Sequence, residues 1–320
     1  MNDQLLEISD LVTSFRTETG WHPAVNGVSL SLRCGEVLGI VGESGSGKTA
    51  TVLSLMRLLP PNGRIESGRI SFEGSDILAL SRKQMREIRG RKIGMIFQDP
   101  MSALDPVYSC GAQISEVMQS HVSMSRREIR DRSIEMLSQV GIKDPEKLLR
   151  SYPHELSGGM CQRVMIAMAL AMNPTLLIAD EPTTALDVTV QAMILDLLKE
   201  LRAQHDMSML FISHDLGVVA DIADRVVVMY GGDIVEQGAI RAVFNSPLHP
   251  YTQGLIASVP RLDEKQTRLF GIPGIVPDIE HFPAGCRFSN RCPHAAEICK
   301  DRRPPMHGTD EHAAACWAKG

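Results

Sequence analysis

Aromatic side chains make up only 4% of this 320-residue sequence, and positive charge is not in excess: 33 Lys and Arg stand against 38 Asp and Glu, a formal net charge of −5. The first shortage argues against aromatic stacking platforms, and the second against a broad nucleic-acid-binding face. No apolar run is long enough for a membrane span. The longest uncharged stretch, Val164 to Ala179, falls short and is interrupted by Asn173-Pro174. The N-terminus, MNDQLLEISD, is acidic and alternating, whereas a secretory signal is basic and then apolar. A cytoplasmic chain is the expectation. No internal repeat is visible. With 43% apolar and 22% charged residues, the sequence is neither disordered nor collagen-like.

The 17 methionines suit adaptable core packing. Alternating apolar positions over 4–12, 24–32 and 68–74 predict half-buried antiparallel strands. Val37-Leu38-Gly39-Ile40-Val41 is continuously apolar, as are Thr175–Ala179, Ser208–Ile212 and Arg225–Met229, and such runs predict strands buried on both faces. The first three lead through polar loops into helical sequence, which argues for a parallel sheet covered by helices. Residues 113–172 read mainly as helix, and the charge-dense stretches Arg82–Lys92 and Arg126–Arg132 as solvated helix faces. Near residue 245 the chain turns rich in Pro, His and Cys, so a small module is expected over 246–320.

Gly42-Glu43-Ser44-Gly45-Ser46-Gly47-Lys48-Thr49 fits the phosphate-loop pattern G-x-x-x-x-G-K-[ST] between a buried strand and a predicted helix over 50–59. Glycines let the backbone curl so that its N–H groups face a phosphate, and the helix N-terminus adds its dipole. Lys48 would reach the β- and γ-phosphates, and Thr49 would offer its hydroxyl to Mg²⁺. Leu176–Ala179 ends in Asp180-Glu181. Acids at the carboxyl edge of a sheet suit Mg²⁺ coordination through water (Asp180) and activation of an attacking water (Glu181). His214 ends another apolar run and could donate to the γ-phosphate. Ser157-Gly158-Gly159 precedes a helical stretch and forms a second anion cradle, which one nucleotide does not need. It therefore suggests a nucleotide held by another subunit.

This order of motifs resembles the ATP-binding-cassette (ABC) ATPases over residues 4–245. The resemblance implies an α/β P-loop NTPase fold: a parallel-sheet nucleotide-binding core, an antiparallel β subdomain and a helical subdomain over about 99–172. It implies that Gln98 is the Q-loop glutamine and a Mg²⁺ ligand beside Thr49, that Ala185-Leu186-Asp187 is the D-loop, and that His214 is the switch histidine. Phe15, or alternatively Trp21, falls where such proteins stack a ring on adenine. The signature departs from the usual pattern at its fifth residue, Met160, with Gln162 two positions on.

Gln98-Asp99-Pro100-Met101, ADEPTTALD over 179–187, and His249-Pro250-Tyr251-Thr252 with a cysteine-bearing tail resemble the dipeptide/oligopeptide importer ATPases, with nickel importers close by. That resemblance implies ATP hydrolysis at the cytoplasmic membrane face. Two ATPase subunits, identical or paralogous, would sandwich two ATP molecules against two permeases, served by an external binding protein and without nucleic acid. A soluble ABC protein of repair or translation is the competing reading, but such proteins usually carry two cassettes or a long coiled coil, and neither fits this length. Cys286, Cys292, Cys299 and Cys316 are spaced C-x5-C-x6-C-x16-C. Four cysteines match both a [4Fe–4S] cluster and a structural Zn²⁺; the wide spacings favour the cluster over zinc, and the resemblance to importer ATPases with such a tail favours it too, against unligated thiols or a disulfide pair.

Overall fold

The computed structural model describes residues 3–184, 187–259, 271–309 and 311–319. In chain order its strands are β1 (Gln4–Arg16), β2 (Trp21–Arg33), β3 (Val37–Val41), β4 (Gly63–Phe72), β5 (Ser75–Asp76), β6 (Ile93–Ile96), β7 (Leu176–Asp180), β8 (Ser208–Ser213), β9 (Arg225–Tyr230), β10 (Asp233–Ala239), β11 (His307–Thr309) and β12 (His312–Ala314). The chain forms two compact units, Met1–Ala79 with Phe211–Gly320, and Leu80–Leu210. Strands alternating with helices make this an α/β protein, as the apolar runs predict. Among the described residues no helix is long and apolar enough to cross a membrane.

In the first unit, β1 pairs antiparallel with β2 and with β4, and β4 with β5, giving the order β2-β1-β4-β5. Here apolar residues alternate with polar ones, the signature of a sheet with one covered face. The strand β3 differs: all five of its residues are buried, and it runs parallel to β9 in the register Ile40↔Val227. Branched side chains fill both faces, so this pair is core on either side. Antiparallel β10, β12 and β11 extend from β9. The sequence reading did not find those three strands: β11 and β12 have three residues each, and β10 carries polar residues, among them Glu236.

The first-unit helix after β3 spans Lys48–Leu55 rather than 50–59. Arg57 has a φ of +50°, a left-handed conformation that breaks the helix before Pro60.

The second unit contains β6 and β7, paired in parallel, and helices Arg82–Ile88, Pro100–Ala103, Cys110–Gln119, Arg126–Gln139, Pro145–Leu148, Gly158–Leu170 and Val188–His205. Ser81 and Ser125 each form a reciprocal capping box with the residue three positions on, Gln84 and Glu128. The charge-dense stretches are indeed helices with solvated faces, anchored by buried Met85 and Ile88 in one and Ile129 and Met136 in the other. Cys110 and Cys161 lie in this core, and burial pushes the Cys110 thiol up to about 11. They are packing residues.

The cysteine-bearing tail belongs to the same compact unit as the phosphate loop. It is attached at Glu236, a fully buried carboxylate on β10. Glu236 accepts from the backbone N–H groups of Leu248 and His249, both at 2.8 Å, and lies 2.7 Å from His312 Nε2. A buried carboxylate needs this many partners to offset its desolvation. His249 in turn caps the helix Pro250–Ser258, its Nδ1 accepting from the N–H of Tyr251 at 3.1 Å.

Burial lowers the His249 pKa from 6.5 to about 4, so the ring is neutral at physiological pH, as its capping role requires. Between these values the unfolded chain holds a proton that the folded chain does not. The stabilisation is therefore complete above about pH 6.5 and is lost as pH falls toward 4, by roughly 3 kcal/mol in all. Urea unfolding at about pH 7.5 and about pH 4.5 should show a smaller acid-induced loss for His249→Asn, whose side-chain oxygen can keep the cap. Equal losses in both proteins would contradict this role.

Candidate nucleotide site

Directly after β3 the backbone curls. Gly45 and Gly47 have φ of +79° and +98°, conformations that side-chain-bearing residues avoid. At Gly47 space is lacking as well, since a Cβ would lie 2.5 Å from the carbonyl oxygen of Ala24. The loop is tied from below where Gly232 N–H donates to Ser46 O at 2.9 Å, and Asn26 N–H donates to Gly232 O at 2.9 Å. Lys48 is buried, and its Nζ donates to the carbonyls of Gly42 (2.7 Å) and Glu43 (3.0 Å), with Ser46 Oγ at 3.5 Å. The loop is therefore closed around its own ammonium. Ser44 and Gly45 are exposed at its tip, and Thr49 is half-buried in the first helical turn. Glu43 turns its carboxylate to Arg291.

In the same unit, Phe15 is half-buried and packs on Gly63, where a Cβ would approach its ring to 2.9 Å. Trp21 is cross-strand from Arg16, with the Arg64 guanidinium 4.0 Å from its ring centroid. One face of Trp21 is thus already covered by a cation. His214 is exposed at the end of β8, followed by Asp215, which caps the next helix through the N–H groups of Gly217 and Val218.

In the other unit, the parallel register Ile96↔Ala179 carries Gln98 and Glu181 out of adjacent strands at the same level. Gln98 Nε2 donates to Glu181 Oε2 at 3.1 Å, and the Thr184 hydroxyl lies 2.9 Å from the same oxygen. Glu181 has a φ of +47°, a left-handed conformation that costs an acidic residue roughly 1–2 kcal/mol. Strain of this kind persists where surrounding structure imposes it, often at functional sites. Asp180, the last residue of β7, is buried. Thr184 is a partner of Glu181 that the sequence reading missed. It sits in the quoted ADEPTTALD stretch, but nothing in the spacing assigns it a role.

Ser157 caps the helix Gly158–Leu170, its Oγ accepting from Met160 N–H at 3.4 Å. A Cβ on Gly158 would meet nothing within 4 Å, and one on Gly159 only Val190. The unit's own packing thus does not require glycine at 158. Asp187 caps Val188–His205 through Val190 N–H at 3.0 Å; Ala185 and Leu186 of the expected D-loop lie outside the described residues.

The ABC transporter family model matches residues 25–184, half of the chain. The chain belongs to the ABC transporter ATPases. A second family model, the oligopeptide/dipeptide transporter C-terminal region, matches residues 235–299 of this ATPase. It is 51% identical over 318 residues to a probable peptide ABC transporter ATP-binding protein of Sinorhizobium fredii, covering 98% of this chain and 95% of the relative. It is also 51% identical to the oligopeptide transport ATP-binding protein OppD of Bacillus subtilis, covering 98% and 88%. Among solved structures, it resembles a dimeric post-hydrolysis state of the ATP-binding cassette MJ0796 bound to ADP and Pi (TM-score 0.67, 27% identity, 74% of this chain and 99% of that one). The cassette cbiO1 of Clostridium perfringens, part of the complex cbiONQ, matches at TM-score 0.64 and 31% identity, covering 77% and 92%. The P-loop fold of ABC type expected from the motif order is thereby established.

In the ATPase's tail, Cys286, Cys292, Cys299 and Cys316 line one cavity of about 160 Å³. Burial and the neighbouring thiols push the Cys286 thiol up to about 11. Among the described residues, however, no three His, Cys, Asp or Glu side chains gather closely enough to hold a metal ion. The four cysteines of the [4Fe–4S] and Zn²⁺ expectations thus share one cavity, lined also by His249, Phe288 and Trp317, with no preformed ion site among the described residues.

Backbone conformation gives a direct test of the phosphate loop. Gly47→Ala combines strain with a clash, and is expected to lower stability by about 1–3 kcal/mol and to abolish binding of a fluorescent ATP analogue. Gly45→Ala meets nothing within 4 Å. It should cost only about 1 kcal/mol. Urea unfolding and nucleotide titration of both variants check the contrast, and equal effects would count against it.

Proposed function

We propose that this ATPase powers import of peptides, bound at the cytoplasmic face of the membrane to two permease subunits and a second ATPase of the same family, with a solute-binding protein delivering the peptide outside. The observation that carries the reading is the Gln98 amide on the Glu181 carboxylate. It connects the segment that follows Gln98, where contact with a permease is expected, to the group expected to activate water. That segment presents Met101, Val107 and Tyr108 to solvent, with Val107 72% exposed, and Phe97 just before Gln98 is exposed as well. Such a concentration of exposed apolar side chains suits a protein partner. The oligopeptide-type C-terminal region and the peptide-import relatives favour peptides as cargo.

The residues suit ATP. The loop's glycines give the backbone the curl that phosphate binding needs, and Lys48 already occupies the loop with its charge satisfied by carbonyls that a phosphate would replace. Thr49, Gln98 and Asp180 would hold Mg²⁺, which when bound neutralises charge on the phosphates. Glu181 orients a water for attack on the γ-phosphorus and takes its proton as the bond to ADP breaks. His214 donates to the γ-phosphate. Phe15 stacks on adenine. Ser157, Gly158 and Gly159 serve the partner subunit's nucleotide, with Asp187 beside them; the open space at Gly158 leaves room for it. The four tail cysteines hold a structural [4Fe–4S] cluster, since their shared cavity suits a body larger than one ion. Anaerobic purification should yield about four irons per chain. One zinc, or neither metal, would overturn that assignment.

Phosphate release by the assembled importer tests the catalytic reading. Glu181→Gln should keep ATP binding and lose about 10²–10⁴-fold in turnover, roughly 3–5 kcal/mol of barrier. Near-normal turnover would refute the role.

A further inference from the structure

The phosphate loop contains an acid. Glu43 stands among the residues expected to surround a polyphosphate, where an uncompensated carboxylate opposes binding by like-charge repulsion. Its partner comes from the cysteine-bearing tail. Arg291, with only 4% of its side chain exposed, grips Glu43 with both terminal nitrogens, at 2.6 Å to Oε2 and 3.1 Å to Oε1. This two-pronged geometry fixes the carboxylate's position as well as its charge. The remaining guanidinium contacts are also assigned: Nε donates to the carbonyl of Pro273 at 2.9 Å, and the terminal nitrogens reach Ile272 O at 3.3 Å and Tyr230 Oη at 3.4 Å. Arg291 is thereby held from three sides and cannot follow Glu43 freely.

A second tie meets the same loop residue from an independent element. The backbone N–H of Glu43 donates to the hydroxyl of Tyr251 at 2.8 Å. Tyr251 is fully buried at the start of the helix that His249 caps. Its ring contacts Tyr230 (centroids 4.8 Å apart) and Phe288 (5.4 Å), and Phe288 lines the cavity of the four cysteines. Arg291 immediately precedes Cys292 at the end of the short helix Ser289–Arg291. The cysteine cavity and the phosphate loop are therefore joined by two packed routes, one through Arg291 and one through the rings of Phe288 and Tyr251.

We infer that Arg291 and Tyr251 are positioning residues through which the cysteine-bearing tail shapes the phosphate loop and sets its affinity for nucleotide. Arg291 cancels the charge of Glu43 and holds its side chain back from the phosphate site; Tyr251 fixes the backbone at the loop's entry. The tail is then part of the nucleotide-binding apparatus, and any change in the packing of its cysteines reaches the loop at Glu43. The inference rests on the nucleotide-binding reading of the loop. It does not require that a metal fill the cysteine cavity.

Titration of the full chain with a fluorescent ATP analogue, beside thermal melts, tests it. Arg291→Met is expected to raise Kd about tenfold, within the usual range of coupling between sites. Arg291→Lys keeps the charge without the fork and should fall between the two. Adding Glu43→Gln to Arg291→Met removes the uncompensated carboxylate and should recover much of the loss, an outcome that a general packing defect would not give. Should Arg291→Met fail to fold, Tyr251→Phe deletes only the acceptor hydroxyl and is expected to raise Kd about threefold with a melt lowered by only a few degrees. In the assembled importer these changes should appear mainly in KM, with kcat little altered. Wild-type Kd in folded Arg291→Met, additive losses in the double variant, or an unaltered Kd in Tyr251→Phe would overturn the inference. Failure of the wild-type chain to bind ATP would overturn the functional reading instead.

Discussion

A loop that binds phosphate through its backbone must be curled before the phosphate arrives, and here that curl is forced rather than merely permitted. Two glycines in left-handed conformations provide the shape, and the carbonyl of Ala24 leaves no room for a side chain at Gly47. Gly232 pins the loop at Ser46, Tyr251 receives the Glu43 amide, and Lys48 draws the first carbonyls inward. Conformational entropy is spent on folding instead of at binding, which is how a preorganised site gains affinity. β3, buried throughout, and β9, buried from Val226 to Tyr230, supply the rigid floor on which this is built.

The second unit applies similar logic to a side chain. Parallel pairing of β6 with β7 sets Gln98 and Glu181 level, and Thr184 meets the same carboxylate oxygen. Glu181 is held in an unfavourable backbone conformation by its surroundings. A displacement of the segment after Gln98 therefore acts on the carboxylate through one hydrogen bond. Under the proposed function, such a link would give a permease a physical means of influencing hydrolysis, because an equilibrium shifts only where a contact differs between states.

What could be read from the residues was what depends on neighbours in sequence. The apolar run over 37–41, the glycine spacing over 42–47, the helix start after Ser157 and the acids Asp180-Glu181 at the end of the run from Leu176 are local patterns, and each lies at the element end that the sequence predicts. Long-range partnerships left no such trace. Arg291 and Glu43 are 248 positions apart, and nothing in the periodicity of either segment announces the other. Nothing in the sequence around Glu236 marks it as the buried anchor of the tail. The left-handed conformation of Glu181 was equally invisible, since the residue is not glycine. The cysteine spacing gives the expectation of a metal centre; the four cysteines line one cavity, but among the described residues no three ligand side chains gather closely enough for an ion.

In this reading the protein shapes the phosphate loop before nucleotide arrives, with the tail among the parts that hold it. Amide hydrogen exchange at Glu43 in the nucleotide-free chain tests this most directly, because that N–H is the one bonded to Tyr251. The account requires exchange slowed at least about 100-fold relative to an unstructured peptide. Exchange at the unstructured rate, with protection appearing only after ATP is added, would mean that the nucleotide shapes the loop, and would contradict it.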